Sequence, residues 1–150
     1  MADRPDDPVG GLRFLYVGAG DTAAAIDFYV EHLGARLRWR FQRFGADVAG
    51  LELGAGPLVL LTDHRPPGSV LPIWSVADLD ATLRALRDTG VQVVGPMGTP
   101  EGDVAVVEVP GGASGATHEV AFLEVTRPDA MDHAYADPGN AHRVGPDGGS

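Results

Sequence analysis

The chain is read as an α+β protein made of two βαβββ copies. Three observations carry that reading. A strand, an aspartate, an apolar-faced helix and a glycine follow one another twice along the sequence. Each helix is followed by three strand-like runs. The composition, 44% hydrophobic and 21% charged over 150 residues, is that of one ordinary globular domain.

The elements follow in order. Leu12–Val17 is a short apolar strand that ends at Gly18-Ala19-Gly20. Asp21 caps the next helix, because its carboxylate can accept from the free N–H groups of the first turn. Ile26, Tyr29, Val30 and Leu33 recur at helical spacing, and Gly34 stops the helix in the left-handed region. Arg36–Phe44, Ala46–Leu53 and Pro57–Asp63 are the three strands of the first copy. His64–Ser69 contains Pro-Pro-Gly and is a linker. Leu71–Val76 then opens the second copy as a strand, Asp78 caps, Leu79, Leu83 and Leu86 form the helical face, and Gly90 stops it. Val91–Pro96, Val104–Val109 and Thr117–Val125 complete the copy. Neither copy alone buries both its helix and its sheet face, so the two form one domain, residues 12–125, with copies at 12–63 and 70–125. Residues 1–11 are expected to be a flexible arm and residues 126–150 a disordered polar tail, since both are rich in Pro, Gly and Asp.

Charge excludes several roles. There are 11 basic and 21 acidic residues, a net charge of −10, and every cation is arginine. A nucleic-acid binder carries a basic excess, so none is expected as partner. An anionic membrane surface is excluded on the same ground. No run reaches the ~18–20 apolar residues of a membrane span, and no secretory signal opens the chain, so the expected location is the cytoplasm. Cysteine is absent, which removes disulfides and thiolate chemistry.

The remaining polar motifs have plain structural readings. Gly18-Ala19-Gly20-Asp21-Thr22-Ala23 has the loose form of a dinucleotide-binding turn, but the alternating strand–helix pattern of that fold is missing. Gly112-Ala113-Ser114-Gly115 lacks the spacing of a nucleophile elbow. His118 and Glu119 are neighbours on a strand and point to opposite faces, so they do not share a metal. His32 suits the negative end of the first helix dipole, and His133 and His142 lie in the polar tail. Trp39 and Phe41 alternate with Arg38, Arg40 and Gln42, which fits either core packing or a stacking wall for a flat ligand.

The ordered set of motifs resembles a known superfamily. Leu15-Tyr16-Val17, Asp21, Phe28-Tyr29 and Leu33-Gly34 are similar to the first module of the vicinal oxygen chelate proteins, which include glyoxalases, bleomycin resistance proteins and extradiol dioxygenases. Pro72-Ile73-Trp74-Ser75-Val76-Ala77-Asp78-Leu79-Asp80, Gly90 and Thr99-Pro100-Glu101-Gly102 are similar to the second. The resemblance implies paired βαβββ modules whose curved sheets surround a cavity. It also implies where a metal would be held: Phe14, Leu60, Leu71 and Ala121, with Glu119 the nearest carboxylate on the last strand. The longer loop Val109–Thr117 leaves the register of that strand open by one or two residues. Phe and Leu supply no ligand atom, so neither metal nor cofactor is expected.

These inferences lead to a metal-free, bleomycin-resistance-like protein. Its expected ligand-binding residues are Phe14, Tyr16, Trp39, Phe41, Leu60, Thr62, Leu71, Ile73, Glu119 and Ala121. A filled cavity without ligand is the other outcome. The expected function is a homodimer that sequesters an aromatic or hydrophobic small molecule, such as an antibiotic, without transforming it. The alternative is a metal-independent enzyme of the same fold, a lyase or cyclase, with Glu119 or Glu52 as general base. A metal-dependent glyoxalase or dioxygenase ranks below both.

Overall fold

The computed structural model describes residues 8–43 and 45–134. Residues 1–7 of the expected arm, and residues 135–150 of the expected tail with His142, lie outside the described residues. The fold is α+β. The chain order is β1 (Val9–Gly18), α1 (Thr22–Leu33), β2 (Arg36–Arg43), β3 (Ala46–Glu52), β4 (Leu58–Thr62), β5 (Val70–Val76), α2 (Leu79–Arg87), β6 (Val93–Thr99), β7 (Gly102–Val109), β8 (His118–Leu123) and α3 (Ala130–Ala134). This is βαβββ twice, followed by one short helix. Strands hydrogen-bond in the order β2-β3-β4-β1-β5-β8-β7-β6. Among the described residues no helix is long and apolar enough to cross a membrane.

The described residues divide into two compact units that share β1: Phe14–Val70 with residues 129–134, and residues 8–13 with Leu71–Pro128. Two boundaries differ from expectation. β1 begins at Val9, inside the expected arm, because Gly11 is held to β5: its N–H donates to Ser75 Oγ, which in turn donates to the Gly11 carbonyl. α3 lies inside the expected polar tail and is tied to β2 by the Arg38–Asp132 ion pair.

In the first unit α1 forms where its caps dictate. Asp21 accepts from the Ala24 N–H at 3.0 Å, and Gly34, at φ 74°, closes the helix by donating to the Tyr29 carbonyl. Ile26 packs with Ala35, Ala49, Leu51, Val59 and Leu61, and Val17, Tyr29 and Leu37 close around them. Successive strand side chains alternate faces, so α1 covers the face of β3 and β4 that carries Ala49, Leu51, Val59 and Leu61. Phe14, Tyr16, Val48, Gly50, Leu60 and Thr62 belong to the opposite face.

The second unit repeats the scheme. Asp78 accepts from the Ala81 N–H at 3.0 Å, and the Glu124 carboxylate accepts from the Leu79 N–H at 2.8 Å. Leu79 and Leu83 pack with Val76, Ala105 and Val107. Trp74 is half-buried and pairs in register with Phe122.

One irregularity positions the aromatic residues of the first unit. The β2–β3 register runs Leu37↔Leu51 and then Trp39↔Gly50, which leaves Arg38 as the extra residue of a bulge. Leu37 packs on the α1 side, yet Trp39 and Phe41 fall opposite Gly50 and Val48, on the other face. A Cβ on Gly50 would lie 2.5 Å from Trp39 Cε2, so the indole lies across the bare backbone of β3. Gly50→Ala is expected to lower stability by about 1–3 kcal/mol through this overlap. Trp39→Leu should cost less in the Gly50→Ala background than in the parent chain. Urea unfolding followed by far-ultraviolet circular dichroism checks both.

Candidate functional site

The register assembles the expected site residues in rows, separately in each unit. In the first unit Tyr16, Leu60, Gly50 and Trp39 form one row across β1, β4, β3 and β2. Gly18, Thr62, Val48 and Phe41 form the next. This face is largely filled by its own side chains: Trp39 is 1% exposed, Phe14 2% and Thr62 0%, and Leu60 is buried as well. Tyr16 and Phe41 are half-buried. Of the two readings of Trp39, core packing is the one observed.

In the second unit Ile73, Ala121, Val106 and Val94 form one row, and Ser75, Leu123, Val104 and Met97 the next. Leu71, Ile73 and Ala121 are buried, but Val94 is 59% and Met97 45% exposed. This face therefore keeps an open apolar surface. At its edge Glu119 stands directly across from Glu108, both exposed. Thr117 Oγ1 donates to Glu108 Oε2 at 3.3 Å. The register thus sets two carboxylates on one face of neighbouring strands. Sequence reasoning nominated Glu119 but missed Glu108. The signal available was the separation of the two around the loop Val109–Thr117, whose unknown register hid their pairing.

The metal positions do not fit a metal. Phe14 and Leu60 in the first unit, and Leu71 and Ala121 in the second, present only hydrocarbon and are buried. Among the described residues no three His, Asp or Glu side chains gather in a metal-holding arrangement. The dinucleotide-like turn is occupied by its own chain. The Gly18 and Ala19 N–H groups donate to the Ser69 and Thr62 carbonyls, and Gly68 donates back to Gly18.

Glu52, the other nominated base, is held by two guanidinium groups. Arg36 donates to Oε1 at 3.1 and 2.5 Å, and Arg38 donates to Oε2 at 2.6 Å. The hydrogen bonds from Arg36 and then Arg38 hold its carboxyl below the usual range, which makes it a weak base. Arg40 lies on the α1 side, where Asp47 binds it at 2.9 and 2.7 Å and raises its pKa.

The Glyoxalase/Bleomycin resistance protein/Dioxygenase superfamily matches residues 11–112, and the chain belongs to that superfamily. The metal-free bleomycin-resistance branch is not singled out by this match. No curated protein sequence matches significantly. The chain is similar in structure to methylmalonyl-CoA epimerase from Mycobacterium tuberculosis, with TM-score 0.66 and 26% identity over 86% of this chain and 97% of that one. It is also similar to a single-residue variant of Streptomyces coelicolor methylmalonyl-CoA epimerase in complex with 2-nitronate-propionyl-CoA, with TM-score 0.58 and 18% identity over 77% and 95%. The Mycobacterium tuberculosis neighbour overturns the expectation of a protein that sequesters a compound unchanged and is not an enzyme; the enzyme alternative fits it better. The physical reason is that loss of metal-ligand atoms does not remove a base able to move a proton.

The depressed Glu52 pKa has a pH consequence. Its stabilisation is present above the ordinary carboxylate value and is lost as pH falls through the lowered one. Glu52→Gln should lower stability by up to about 1 kcal/mol near neutrality, the scale of a partly exposed ion pair. That difference should shrink progressively on acidification, as read from urea midpoints.

Proposed function

We propose that the chain is an enzyme that moves a proton at the carbon beside a carbonyl of a small-molecule substrate, with a coenzyme A thioester as the first candidate. The observation that carries the reading is the likeness to the Mycobacterium tuberculosis epimerase along 86% of the chain at 26% identity. In this chemistry a base removes the α-proton, the electron pair moves onto the carbonyl oxygen, and the proton returns to either face of the carbon. The base proposed is Glu119, on the open apolar face of the second unit. Glu52 is set aside because its pKa is depressed. Since Phe14, Leu60, Leu71 and Ala121 offer no ligand atoms, the proposed reaction needs no resident metal. Lyase and cyclase reactions begin with the same proton removal, so product analysis separates them from epimerisation.

The test is deuterium incorporation from D2O into methylmalonyl-CoA and a panel of other α-acidic acyl-CoA thioesters, read by mass spectrometry with chelator-treated protein. Exchange undiminished by chelator is expected, and Glu119→Gln should slow it by about 10²–10⁴-fold. Absence of exchange across the panel overturns the thioester assignment; full activity in Glu119→Gln overturns the base. The homodimer belongs to the same proposal and is supported only by the superfamily resemblance. Light scattering should give twice the 15.6 kDa chain mass, and a mass of one chain overturns it.

A further inference from the structure

We propose that Arg38 is an oxyanion-binding residue, and that Asp132 of α3 occupies it as a built-in competitor. The bulge in β2 places Arg38 beside Trp39, on the face that α1 leaves uncovered. Its guanidinium serves two carboxylates. Nη1 donates to Glu52 Oε2 at 2.6 Å, and Nη2 donates to Asp132 Oδ2 at 2.5 Å. Glu52 is also bound by Arg36 and therefore stays neutralised if Asp132 leaves. Two guanidinium groups would then face one carboxylate. The result is a local positive excess on a chain whose net charge is −10. A carboxylate or phosphate oxygen has the geometry to take the vacated edge of the fork.

The tie is built to exchange. α3 spans five residues, far below the length at which a helix holds itself together. The Arg38 and Asp132 side chains are 36% and 34% exposed, so solutes reach the pair from solvent. Ion pairs of that exposure are weak enough for a ligand oxyanion to displace. α3 then detaches from β2 as the ligand binds, and binding and release become two readings of one event. The inference rests on the proposed thioester reading only for its choice of probes, because such substrates carry both carboxylate and phosphate groups. It is measured by binding rather than turnover, so the two can fail separately.

The probes are malonate and free coenzyme A, titrated by calorimetry at low salt. Asp132→Asn should bind at least one of them about 2–5-fold more tightly than the parent chain, the factor matching a partly exposed ion pair. Arg38→Gln should abolish that binding. Tighter binding of malonate alone identifies a carboxylate site; tighter binding of coenzyme A alone identifies a phosphate site. In the parent chain, saturating probe should speed amide exchange across residues 129–134 at least several-fold, a readout that needs no variant. Unchanged affinity in Asp132→Asn, or unchanged exchange in the parent at saturation, overturns the proposal.

Discussion

One helix covers only one face of a four-stranded sheet. α1, with twelve residues, is about 18 Å long, close to the width of four strands spaced about 4.8 Å apart. It can therefore shield its side of the sheet and nothing beyond it. The opposite face must be filled by side chains or by something from outside. In the first unit it is filled from within: the bulge at Arg38 turns Trp39 onto it, and Gly50 makes room for the indole. In the second unit Val94 and Met97 remain exposed on the corresponding face. The same constraint, met in two ways, accounts for the packed aromatic rows of one unit and the open apolar surface of the other.

Much of this architecture was readable in the residues. Asp21 and Asp78 cap their helices with side-chain bonds to Ala24 and Ala81, the interaction that makes aspartate a start signal. Gly34 and Gly90 both have positive φ and follow their helices, as their positions implied. Other features depended on partners distant in sequence. Val9–Gly11 sits among Pro and Gly and reads as loose, yet β5 recruits it. The bulge depends on the pairing of β2 with β3 and leaves no local mark, so strict alternation would not have placed Leu37 and Trp39 on opposite faces. α3 is short and polar, and Arg38, 94 residues earlier, supplies its tie.

The candidate site was partly legible in the same way. That Phe14, Leu60 and Leu71 lack ligand atoms follows from their identity alone. Whether chemistry survives that loss does not, because a single carboxylate on a strand has the same local pattern whether it is a base or a solvated edge residue. The opposition of Glu119 and Glu108 is a fact of register, and the Gly-rich loop between β7 and β8 concealed it. The enzyme reading required comparison of the whole fold.

The overlap that a Cβ at position 50 would meet also constrains how this lineage can diverge. With a tryptophan at position 39, every side chain at position 50 collides with the ring, so glycine is the residue that fits. With a smaller residue at 39, glycine at 50 is still tolerated. Substitution at 39 followed by substitution at 50 is therefore the less costly order. Once position 50 has acquired a side chain, return to tryptophan at 39 carries the cost of the overlap until 50 reverts. The pair works as a ratchet, and descendants that have passed it carry an uncovered sheet face whose packing must be solved afresh.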